Sequence, residues 1–220
     1  MQPDYERAAI AAAETLIEYK ISSAPISPLP ILKKIPGVIV MTYMDISTET
    51  GVDRQNVIHT FGETNQDSFT TVNKEDGKAK YIVTYNQQLP FALLQRGFAR
   101  ELGHIVLGHD ETTPEEVRNE EARCFAHHLL CPRALIHTIQ ATGLRMTTEV
   151  LGNLTGCYEQ CLYSMRKIPA THVPAELNRT IRDNFFNYSL NFFEFYKPSG
   201  MADVSGDADF GSFMEGYTEV

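Results

Sequence analysis

Residues 100–104 read Arg-Glu-Leu-Gly-His, one position away from the pattern His-Glu-x-x-His. Imidazoles at i and i+4 stand one helical turn apart on one face, so both reach a single tetrahedral zinc ion. The glutamate after the first is turned about 100° round the helix. It holds a zinc-bound water and serves as general base while the metal lowers that water's pKa. In this chain His104 occupies the place of the second ligand, Glu101 that of the base, and Arg100 that of the first ligand. A guanidinium is cationic at physiological pH and has no lone pair for a metal. A third ligand must come from another element. Glu121 suits that role, because Val117 and Phe125, four residues to either side, place its carboxylate on an apolar stripe where it needs a cation or a donor.

These four residues admit two arrangements. In one, His104 and Glu121 hold zinc and Glu101 activates water. In the other, Arg100, His104 and Glu121 form a buried ion and hydrogen-bond cluster whose guanidinium replaces the charge of the metal. The second predicts that Arg100 turns inward and hydrogen-bonds Glu121 or Glu101, with His104 within reach of Glu121. His109 lies five residues after His104, about 140° round a continuous helix. It is read as a surface or capping residue unless the helix breaks at Gly108. His128 shares the face of Glu121 but lies two turns away, His127 faces elsewhere, and His59, His137 and His172 have no motif around them.

The elements that must position these residues follow from periodicity. Alanines and spaced aliphatic residues predict a helix over 4–20, and four prolines between Ser22 and Pro36 leave room for one turn at 31–35. Strands are expected at 38–43, 68–73 and 80–85, the last two joined by a Lys-Glu-Asp-Gly hairpin signal. The spacing of Phe91, Leu94, Phe98, Leu102 and Ile105 predicts a helix over 90–108. Another runs from Pro114 to Leu130, with Thr113 and Glu116 as a capping box and Pro132 as the stop. Helices are further expected at 133–141, 147–153, 157–167 and 174–196. The third and second of these from the end have helix-turn-helix spacing, yet the basic residues of the would-be recognition helix, Arg166 and Lys167, sit only at its end. The division expected is residues 1–145 as the site-bearing domain, 146–196 as a helical region and 197–220 as an acidic tail.

Composition limits the function classes. With 19 Lys and Arg against 28 Asp and Glu the formal charge is −9, which disfavours nucleic acid as main ligand. No apolar run is long enough to span a membrane, and a signal-peptide pattern is lacking at Met1, so a cytoplasmic protein is expected. Four cysteines do not make a disulfide scaffold, and Cys157 and Cys161 are read as ordinary buried thiols.

Two blocks together resemble a known family. Residues 98–109, Phe-Ala-Arg-Glu-Leu-Gly-His-Ile-Val-Leu-Gly-His, follow Tyr85-Asn86 and Leu89-Pro90. Residues 121–126, Glu-Ala-Arg-Cys-Phe-Ala, precede Leu129-Leu130-Cys131-Pro132. Both are similar to the ImmA/IrrE zinc peptidases, over about residues 5–168, with Arg100 and Arg123 as departures. The resemblance implies an α+β, zincin-like minimal metallopeptidase domain: a small antiparallel sheet packed on the motif helix, followed by a helical C-terminal region. It implies zinc held by His104 and Glu121, with Glu101 as base, and a prophage or mobile-element protein that cleaves a helix-turn-helix repressor. The substrate would lie as an added strand along 80–85. Arg100 favours the alternative of an inactive pseudopeptidase that binds a protein partner without zinc.

Overall fold

The computed structural model describes residues 1–53, 55–57, 68–75, 78–157 and 171–196, the side chains of 68–75 and 78–80 excepted. The helix expected at 157–167 and the tail from 197 fall outside these residues.

Helix α1 (Tyr5–Glu18) starts at Asp4, whose side chain accepts the Arg7 amide at 2.9 Å. It buries Ala8, Ala9, Ala12, Ala13 and Leu16, a smooth face that lets neighbouring helices approach closely. Helix α2 (Pro28–Leu32) comes slightly before the expected turn, with proline in its first turn where a missing N–H costs nothing. Strand β1 (Val38–Thr42) runs straight into α3 (Tyr43–Thr50), a helix the sequence reading did not foresee. Its cause is a reciprocal cap. Thr42 Oγ1 accepts from the Asp45 amide at 3.0 Å, and Asp45 Oδ2 accepts from the Thr42 amide at 2.7 Å.

Strands β2 (Ser68–Glu75) and β3 (Lys78–Tyr85) pair antiparallel with Glu75 opposite Lys78, as the hairpin signal requires. β1 pairs parallel to β3, with Val38 opposite Tyr81, so the sheet is mixed and its order is β1-β3-β2. The excursion through α3 and β2 brings the chain back in the direction of β1, which is what parallel pairing needs. β3 is therefore the central strand and cannot take an added strand. Among the described residues the edges of the sheet belong to β1 and β2.

Helix α4 (Phe91–Val106) packs on β2, β3 and α2, and α5 (Glu115–Leu130) packs on both α4 and α1. The fold is thus the expected α+β arrangement with the two motif-bearing helices in contact, but its sheet is mixed rather than antiparallel, because β1 joins β3 in parallel. Phe98, Leu102 and Ile105 face inward as predicted, whereas Phe91, at the helix start, is 61% exposed. Pro114 rather than Thr113 occupies the cap of α5, so the expected capping box does not form. α6 (Arg133–Ala141), α7 (Thr148–Thr155) and α8 (Ala175–Tyr196) complete the described fold, with α8 lying on α6 and α1.

The α4–α5 contact depends on a missing side chain. A Cβ at Gly103 would stand 3.0 Å from Phe125 Cδ1 and 3.1 Å from its Cβ and Cγ. Phe125 is fully buried and has nowhere to retreat. Gly103→Ala gains about 1 kcal/mol of helix propensity but overpacks the core at a cost of about 1–3 kcal/mol. The expected net result is a loss of about 1 kcal/mol, read from urea unfolding; an unchanged or raised midpoint would mean that the helices part freely.

Candidate functional site

Helix α4 ends at Val106, and Gly108 takes φ +66°, a left-handed turn that glycine adopts without strain. The turn sends the chain back across the last turn of the helix. His109 therefore does not continue round α4 but lies against His104, Nδ1 to Nδ1 at 3.0 Å, the ring planes 69° apart. Its other ring nitrogen, Nε2, lies 2.8 Å from Glu121 Oε2 on α5. The Asp4 amide, at the start of α1 where backbone donors have no partner inside the helix, donates to Glu121 Oε1 at 2.8 Å. Arg7 stands 3.8 Å from Glu121 Oε2 and donates to the Leu107 carbonyl. Three helices are thus tied at one carboxylate.

The proton positions follow from this geometry. Glu121 only accepts if ionised, so His109 Nε2 carries the hydrogen it donates. A neutral His109 then offers its Nδ1 as acceptor, and His104 supplies the Nδ1 hydrogen between the rings. The result is a relay, His104 to His109 to Glu121, with one lone pair left, on His104 Nε2. Burial holds His104 down at about 3, with the His109, Arg100 and Arg118 charges adding to the effect. Burial also lowers His109, against the opposing pull of its hydrogen bond to Glu121.

The relay corrects two expectations. His109 is no surface histidine: it is 6% exposed and touches both other members of the site. Arg100 forms no pair with Glu121 or Glu101 among the described residues; its Nε is buried without a hydrogen-bond partner. Glu121 has its donors and a positive charge without Arg100: one oxygen accepts from the Asp4 amide, the other from His109, and Arg7 stands 3.8 Å away. The charge of Arg100 still acts on His104 from the preceding turn. Glu101 is buried beside it at 3% exposure, outside the hydrogen-bonded chain that joins His104 to Glu121. His127 and His128, both set aside in the sequence, are both buried, and His128 Nε2 meets Thr171 Oγ1 at 2.6 Å.

A family model for the IrrE N-terminal-like domain matches residues 42–158, more than half of the chain and all three members of the relay. The chain belongs to the IrrE N-terminal-like family. No curated protein and no solved structure matches it significantly. Membership in this family of ImmA/IrrE-like metallopeptidases implies zinc, and the residues present can be tested against it. A zinc site needs donors that converge on one point. The two nitrogens of His109 point in divergent directions, one at His104 and the other at Glu121, so no single ion meets all three side chains. Among the described residues no group of three His, Cys, Asp or Glu side chains is placed to hold a metal. Arg100 fills the first ligand position, and the charges of Arg7 and Arg118 also reach the pair of histidines. This donor set does not fit zinc.

Proposed function

We propose that the protein is a member of the family that recognises a protein partner without hydrolysing it, its metal centre replaced by the Glu121–His109–His104 relay. One observation carries this: His109 stands between the two side chains that family resemblance assigns to zinc, and it engages both. His104 and Glu121 then act as structural ties between α4, α5 and α1, and Glu101 has no metal-bound water to activate. The partner proposed is a helix-turn-helix repressor, met in the cytoplasm. No helix among the described residues is long and apolar enough to cross a membrane.

Strand addition is the mode of recognition that the sheet supports. β2 is a sheet edge, and it lies against the motif helix. An extended partner segment hydrogen-bonded along it would run beside the site. The zinc endopeptidase rests on family membership alone.

Incubation of the purified protein with candidate helix-turn-helix repressors, with and without added zinc, separates the two. The expected result is a stable complex on size exclusion and an intact repressor after zinc addition. Zinc-dependent cleavage by the unmodified chain, abolished in Glu101→Gln, would sink the proposal.

A further inference from the structure

A cavity of about 220 Å³ lies between α6 and the start of α8. It is lined by Arg133 and His137 of α6, by Asn178 and Arg182 of α8, and by His172 of the connecting segment. In a chain whose acids outnumber its bases by 28 to 19, the lining brings together two guanidiniums and two imidazoles, and no carboxylate is among these lining residues.

Two of these groups have hydrogen-bonding capacity to spare. Among the described residues Arg182 makes no ion pair, and the Nε2 of His137 is buried with no hydrogen-bond partner. A buried imidazole nitrogen left without a partner costs free energy. Arg133 is already fixed from outside, its Nη1 donating to the Thr171 carbonyl at 3.4 Å, so its position is set before any ligand arrives. Asn178 is fixed similarly, donating to the Val173 carbonyl at 3.0 Å.

We propose that this cavity is a binding site for the phosphate of a small phosphomonoester. The Arg182 guanidinium and the unpartnered Nε2 of His137 line the same space and suit an anion that accepts several hydrogen bonds. Donors that approach from two helices and a connecting segment suit a tetrahedral group, which accepts in all directions, better than a planar carboxylate. The volume is below the 300–1,000 Å³ or so usual for drug-sized ligands, so the site takes a phosphate on a short carbon chain rather than a nucleotide. None of these residues belongs to the relay at Glu121, so the site stands whether or not the protein hydrolyses its partner.

Calorimetric titration of the full chain with glycerol 3-phosphate, inorganic phosphate and succinate tests it. Glycerol 3-phosphate is expected to bind, inorganic phosphate more weakly, and succinate at least tenfold more weakly than glycerol 3-phosphate. Arg182→Gln should reduce the affinity for glycerol 3-phosphate at least tenfold, and His137→Gln should reduce it as well, with unchanged circular dichroism. Should Arg182→Gln fail to fold, Arg182→Lys keeps the charge, loses the planar fork and is expected to bind several-fold more weakly. No binding of either phosphate, succinate binding as tightly, or full affinity in both the Arg182 and His137 variants would each overturn the assignment.

Discussion

Arg100→His is expected to bind zinc at least tenfold more tightly than the unmodified chain. The substitution removes a fixed positive charge next to His104 and places a second imidazole one turn before it, the pair that grips zinc in this motif. Each tenfold gain corresponds to about 1.4 kcal/mol, modest beside what one added ligand contributes. Glu121 would still be held by His109 at 2.8 Å, which limits the gain. Arg100→His combined with His109→Ala frees that oxygen and should therefore bind more tightly again. Competition against a chromophoric chelator measures both, and His104→Ala in the Arg100→His background should abolish the site. Equally tight binding by the unmodified chain would show that the relay opens to receive metal.

Acid should destabilise the protein strongly, beginning well above the range where most carboxylates titrate. Burial, with the Arg133 charge adding to it, pushes His127 down to about 4, and burial together with the His127 and Arg133 charges pushes His128 well below its ordinary value. In the unfolded chain both titrate near 6.5. Below that pH the unfolded state takes up protons that the folded state refuses, so the unfolding free energy falls as pH drops. For His127 the loss runs from about 6.5 to about 4 and reaches about 3 kcal/mol, and for His128 it continues lower. That is a large share of the 5–15 kcal/mol or so that stabilises an ordinary domain. Urea midpoints compared at pH 7 and pH 4.5 measure the effect. His127→Gln should reduce the pH dependence, and a midpoint independent of pH between those values would contradict it.

The helices that bear the site were legible because their signals are local. Phe98, Leu102 and Ile105 repeat at helical spacing, and Pro132 stops α5, so the boundaries fell within a residue or two of those observed. Glu121 was legible as an anomaly, a carboxylate on an apolar stripe in need of a donor. The donors themselves were not, because Asp4 and Arg7 reach it from an element more than a hundred residues away. His109 was misplaced for a different reason. Counting 100° per residue from His104 assumes an unbroken helix, and Gly108 breaks it; a glycine just past the last apolar position is itself a stop signal that deserved to override the count. The parallel pairing of β1 with β3 left no mark in either strand, since it depends on the route of the chain through α3. That helix was signalled only by Thr42 and Asp45 three residues apart.

The tie between the Asp4 amide and Glu121 spans 117 positions, and this separation has a kinetic consequence. Contacts distant in sequence must overcome a large loop-closure entropy, and they tend to form after local ones. The α4–α5 pair, joined by a short connection, is expected to consolidate early, with its polar cleft still open to water. Only when the first turn of α1 docks does the carboxylate exchange water for the backbone donor. Hydrogen exchange during refolding should accordingly show amides of α4 and α5 protected before that of Asp4, so that the cleft closes as one of the last events in folding.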